Sequence, residues 1–195
     1  SFPSIKTQVE IARKSYENPA AVNLVMLSGG VADITVAEIL NPFNSNEELR
    51  EDVTKYCFEG MSRLLAQTAE TFPNALIAVV GYYPIITSHT PMKKIVNDVM
   101  EVYNSPRWLK PLINTRLKRQ FFRIYRKKMI RRSRVWYEGS TIELKRAVEK
   151  LNSNFPHQRA VFIESPFAEE NGYGAKNTLL WNIAKKGEAA DELYA

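Results

Sequence analysis

Three short apolar runs, each closed by a turn or loop and separated by long polar-apolar stretches, constrain this chain most. Residues 22–27 (VNLVML) end at Ser28-Gly29-Gly30, residues 75–80 (ALIAVV) end at Gly81, and residues 160–163 (AVFI) run into a loop. Runs of this length and composition predict buried strands. Strands that alternate with long helices predict an α/β fold with a parallel sheet and helices on both faces, a three-layer αβα arrangement. Ligands bind such sheets at the carboxyl ends of the strands, so the segments to watch are 28–33, 81–89 and 164–174. None of the runs approaches the ~18 apolar residues of a membrane-spanning helix.

The helical stretches have their own punctuation. Residues 4–17 read as a short helix broken by Asn18-Pro19. Ser45-Asn46-Glu47-Glu48 is a capping-box pattern. It opens a helix to about residue 71, with Leu49, Val53, Tyr56, Cys57, Met61, Leu64 and Leu65 toward the core. Residues 91–103 read as helix, and Ser140-Thr141-Ile142-Glu143 repeats the capping-box pattern, predicting a separate helix to about residue 152. A short helix is expected around 179–183, before an acidic tail at 187–195. The 195 residues, 45% hydrophobic and 25% charged, fit one globular domain spanning 1–195.

Charge is segregated. The chain carries 27 Lys and Arg against 21 Asp and Glu. Residues 102–137 hold 12 of those cations and no acid, leaving 15 cations and 21 acids elsewhere. A mildly acidic body thus carries one basic segment, read as a basic helical insertion over 107–137. Within it Ile113, Leu117, Phe121, Ile124, Tyr125 and Met129 recur at helical spacing and predict the buried stripe. Arg116, Arg119, Arg123, Arg126, Lys127 and Arg131 fall off that stripe. They form either a solvated face or a surface for a protein partner or an anionic surface such as phospholipid. Nucleic acid is the weaker reading, because no recognition motif accompanies the charge.

One cysteine, Cys57, excludes a disulfide framework and a Cys-based zinc site, and two histidines, His89 and His157, give no metal-ligand cluster. No cofactor or metal is expected. Cys57 reads as a buried inert thiol, and a single cysteine is compatible with the cytoplasm. The first residues lack the form of a signal peptide and no initiator Met is present, so the chain reads as a piece of a longer one. Ser28 reads as a strand-ending hydroxyl bonded to turn backbone. Tyr82 and Tyr83, at a strand end, read as packing aromatics, and His89 is a weak ligand or catalytic candidate on the functional edge.

The order of these pieces resembles the SGNH/GDSL hydrolases. Residues 22–42 (VNLVMLSGGVADITVAEILNP) resemble the family's strand and Gly-x-Asn-Asp turn. Residues 72–84 (FPNALIAVVGYYP) resemble its next strand, and 136–163 its penultimate helix and last strand. Residues 165–181 (SPFAEENGYGAKNTLLW) stand where the family carries its catalytic Asp-x-x-His. The resemblance implies a flavodoxin-like sheet with its first strands, and the serine on them, outside this chain. It also implies a serine ester hydrolase acting on carboxyl esters, with an oxyanion hole at the turn. Gly29, Gly30, Ala32 and Asp33 occupy that turn. Ala32 stands where the family has Asn, and losing such a donor typically costs about 100- to 1000-fold in rate. Glu170 and Tyr173 occupy the Asp-x-x-His positions, with Tyr in place of the base. The alternative is a catalytically inactive SGNH-like protein that binds a partner through the basic helix.

Overall fold

A computed structural model describes residues 4–28, 34–91 and 116–178. In chain order its elements are α1 (Ile5–Ser15), β1 (Leu24–Leu27), α2 (Val36–Leu40), α3 (Asn46–Val53), α4 (Met61–Thr71), β2 (Leu76–Val80), α5 (Arg116–Asn152) and β3 (Ala160–Ile163). The fold is α/β. The strands lie in the order β1-β2-β3, and both neighbouring pairs are parallel. The predicted helices at 91–103 and 179–183 and the tail at 187–195 lie outside the described residues.

The chain divides into two compact units. The first comprises Ser1–Ile39, Asn44–Tyr82 and Val135–Ser165, and the second Leu40–Phe43, Tyr83–Arg134 and Pro166–Ala195. The first unit holds the sheet. Register pairs Val25 with Ile77, Leu27 with Val79, and Ile77 with Ala160. The face carrying Leu27, Ile77, Val79 and Ala160 is buried. On that face Val25 packs against a cluster of Val9 of α1, Phe72 and Ala75, as does Leu64 of α4. The Lys145 ammonium of α5 sits 5.3 Å from the Phe162 ring on the same face.

The opposite face leaves Leu24, Met26, Leu76 and Ile163 exposed. Topology supplies the reason. Right-handed crossovers that step in one direction across a sheet, β1 to β2 to β3, carry their helices to a single face. Helices on both faces require the strand order to reverse, and among the described strands it does not.

The stretch 46–71 folds as expected at its start. The Ser45 hydroxyl accepts from the Glu48 N–H at 3.0 Å, and the Glu48 carboxylate accepts from the Ser45 N–H at 3.3 Å. Its middle differs from a plain α-helix, because Thr54–Gly60 forms a π-helical segment. The apolar spacing explains this. Leu49, Val53, Cys57, Met61 and Leu65, all buried, recur at steps of four. In a pure α-helix each such step drifts by about 40°. The wider π turn absorbs the drift and keeps all five on one face.

The second capping-box pattern is overturned. Ser140 lies inside α5, one helix of 37 residues, so neither a break at 139–140 nor an end to the basic helix at 137 exists. The Ser140 hydroxyl donates back to the Tyr137 carbonyl at 3.1 Å, and Glu143 pairs with Arg146 at 3.4 Å. Gly139 does not stop the helix because it serves packing. A Cβ there would stand 3.3 Å from Val53 Cγ1. Trp136, fully buried, stacks against Tyr82 with ring centroids 4.9 Å apart.

Past α5, Asn152 ties the helix to β3. Its side-chain oxygen accepts from the N–H groups of Arg159 (2.8 Å) and Ala160 (2.9 Å), and its amide donates to the Ala160 carbonyl at 2.9 Å. The buried Arg159 guanidinium donates to the carbonyls of Phe72 and Pro73. At the end of β2 the Gly81 N–H donates to the Ile163 carbonyl at 2.8 Å. A Cβ on Gly81 would come within 2.6 Å of the Phe162 ring and 3.3 Å of that carbonyl. Gly81→Ala is therefore expected to destabilise the protein by about 1–3 kcal/mol, read as a lowered urea midpoint at unchanged m-value.

Candidate functional site

The second unit gathers the segments that follow β2 and β3 around the amino-terminal half of α5. That half, 116–134, works through its polar residues. The Ser133 hydroxyl accepts from the N–H groups of Ile85 and Ile86, both at 3.0 Å. Arg126 donates through Nη2 to the carbonyls of Ser88 (2.5 Å) and Thr90 (3.0 Å), and through Nε to Thr90 at 3.3 Å. Arg126 and Ser133 are seven residues apart, two helical turns, so they stand on one face and reach the same loop.

The two loops also bond to each other. The Tyr173 N–H donates to the Ile85 carbonyl at 2.8 Å. The Thr87 hydroxyl donates to the Glu169 carbonyl at 2.7 Å and accepts from the His89 N–H at 3.2 Å. Tyr83 packs on Phe167 with centroids 5.4 Å apart. Gly172 permits this approach, since a Cβ there would fall 2.5 Å from Thr87 Cγ2. Gly174 supplies a positive φ of 66° for the turn that follows.

The charged centre of the arrangement is Glu169. Its carboxylate accepts from Arg134 at 2.8 Å through one oxygen and from Ser88 Oγ at 2.9 Å through the other. Those two hydrogen bonds, Arg134 first, hold its pKa below the ordinary 4.5, and the charges of Arg134 and His89 add to the effect. A carboxylate so stabilised takes up a proton poorly, so it is a weak base toward Ser88. The Ser88–Glu169–Arg134 chain acts as a latch between a loop, a loop and a helix.

The residues expected from the sequence divide accordingly. Glu170 is exposed, and the acid that does the bonding is its neighbour Glu169. Tyr173 is buried and contributes its backbone N–H to the loop contact. His89 is exposed, beside the latch. Gly29, Gly30, Ala32 and Asp33 lie outside the described residues. Arg116 and Arg119 fall in the first turns of α5, with side chains outside the described set. Arg126 faces loop carbonyls, whereas Arg123, Lys127 and Arg131 are exposed, with Lys128 beside them. Cys57 is a buried free thiol.

Of the expected buried stripe, Ile113 lies outside the described residues, as do the side chains of Leu117 and Phe121, and Tyr125 is half-buried. Ile124 is 53% exposed, whereas Met129 is fully buried. With Met129 and Trp136, seven residues apart, defining the inner line, a residue five positions before Met129 falls about 140° around the helix. Arg134 and Ser88 carried no signal of their own in the sequence. The only trace was Ser133-Arg134 standing seven and eight residues after Arg126. Among the described residues no group of three His, Cys, Asp or Glu could hold a metal ion, and no helix is long and apolar enough to cross a membrane.

The latch predicts a pH dependence. A carboxyl with a depressed folded-state pKa contributes stability that is present above its ordinary value of 4.5 and is lost as pH falls through the lower folded value. Urea midpoints of the unchanged protein should therefore fall below pH 4.5 more steeply than those of Glu169→Gln, which lacks this increment at every pH. Equal slopes for the two proteins would show that the latch adds no stability.

No family model matches the chain, and comparison with curated proteins and with solved structures also yields no match.

Proposed function

We propose that this chain is the scaffold of an SGNH-type serine ester hydrolase acting on carboxyl esters, with the nucleophile supplied from outside this chain. The observation that carries the reading is the joining of the loops after β2 and β3 by Tyr173 N–H to Ile85 and Thr87 Oγ1 to Glu169. Parallel α/β sheets bind ligands at that edge. In this reading the three-layer, flavodoxin-like sheet extends past the described strands. The turn of Gly29, Gly30, Ala32 and Asp33 follows β1 as the oxyanion element, short of the Asn donor. Glu170, Tyr173 and His89 are then the catalytic candidates of this chain.

The test uses the full-length protein that contains this chain. Turnover of p-nitrophenyl butyrate and labelling by a fluorophosphonate probe are the expected results. Gly172→Ala pushes on Thr87, so it should lower kcat/KM by about 100-fold through misplacement of the loop pair. Absence of both labelling and turnover in a folded protein would overturn the hydrolase reading.

A second reading is favoured by a separate observation. Arg123, Lys127, Lys128 and Arg131 are exposed on α5 and form no ion pair among the described residues. In that reading the scaffold is a non-catalytic interaction protein, and the outer face of α5 meets a protein partner or an anionic surface.

A further inference from the structure

The outer face of the amino-terminal half of α5 is not uniformly charged. Arg123, Lys127 and Arg131 follow one another at steps of four along about 12 Å of helix, with Lys128 alongside. Ile124 lies among them, 53% exposed, three and four residues before Lys127 and Lys128. Beside this line, Phe43 stands 77% exposed, its ring edge-to-face on Tyr125 at 5.4 Å. Two large apolar side chains thus project from a row of cations, with no acid from 116 to 137 to offset them.

We propose that this face docks on an anionic phospholipid membrane, with Phe43 and Ile124 entering the headgroup layer and the four cations pairing with lipid phosphates and carboxylates. The inference rests on the second reading above, that this face is an interaction surface, and it assigns the partner. Charge complementarity selects an anionic partner. Phosphates of nucleic acid would satisfy the cations but leave Phe43 and Ile124 without a role. The face is a convex helix ridge, which fits a planar lipid boundary better than the buried pockets that anchor protein partners. The opposite side of the helix is occupied, with Met129 fully buried, so the helix lies on the membrane and does not insert its apolar stripe.

The experiment is co-sedimentation of the full-length protein with vesicles of phosphatidylcholine alone and of phosphatidylcholine with 30% phosphatidylserine. Binding is expected only to the anionic vesicles and should weaken steeply between 0.05 M and 0.5 M salt. Each cation near an anionic surface contributes about fivefold in partitioning, so Lys127→Gln with Lys128→Gln should lower it about 30-fold. Phe43→Ser with Ile124→Ser should lower it about tenfold. All four side chains are exposed, and unchanged circular dichroism checks that the variants fold. Equal binding to neutral vesicles would overturn the proposal. So would wild-type affinity of the Phe43→Ser, Ile124→Ser variant for anionic vesicles. If a DNA duplex or an acidic peptide binds the face while anionic vesicles do not, the lipid assignment falls and the interaction-surface reading stands.

Discussion

The unbroken hydrogen-bond ladder of α5 is the constraint on which the described structure depends. Thirty-seven residues of one helix serve two different tasks. In its amino-terminal half, Arg126, Ser133 and Arg134 take up carbonyls, N–H groups and a carboxylate of two loops. In its carboxyl-terminal half, Leu144, Ala147, Val148 and Leu151 are buried, and Asn152 anchors β3. A break at 139–140 would have freed backbone groups that need partners at each new helix end. Gly139 and Ser140 avoid that cost. The glycine yields room for Val53, and the serine bonds to its own helix.

The loop site has the character of a structural joint. Much of its polar chemistry is engaged in holding loops together: Thr87, Ser88 and Glu169 with one another, Arg126 and Arg134 with loop atoms. Arg134 and Ser88 stabilise the charged form of Glu169, and this draws the carboxyl away from the proton uptake that base catalysis needs. Charge that forms no ion pair among the described residues lies on the outer face of α5, at Arg123, Lys127, Lys128 and Arg131. Joint and charged ridge thus share a helix, with Arg134 of the joint two turns beyond Lys127 of the ridge.

Two four-residue patterns mark how far the sequence could be read. Ser45-x-x-Glu48 and Ser140-x-x-Glu143 are alike on paper, yet only the first caps a helix. Asn41-Pro42 and a loop precede Ser45, so its N–H groups needed a partner. Ser140 follows a helix already running, whose N–H groups are satisfied from within. Strand positions were legible because aliphatic runs closed by turn residues have few other uses. The sequence does not distinguish Glu169 from Glu170, since adjacent acids in a loop have no periodicity to tell them apart. The sequence alone does not show that Ile124 faces outward, because a five-residue offset from Met129 has no meaning until the inner line of the helix is known.

The sequence by itself determined the three strands, the first capping box, the burial of Cys57 and the confinement of positive charge to one segment. Each of these is set by local composition and spacing. Tertiary structure decided the rest: the single direction of the crossovers, the π turn that keeps a four-residue repeat in line, the continuity of α5 through Gly139, and the choice of Glu169 for the latch. These depend on which distant groups compete for a hydrogen bond or a packing position, and that competition exists only once the chain has folded.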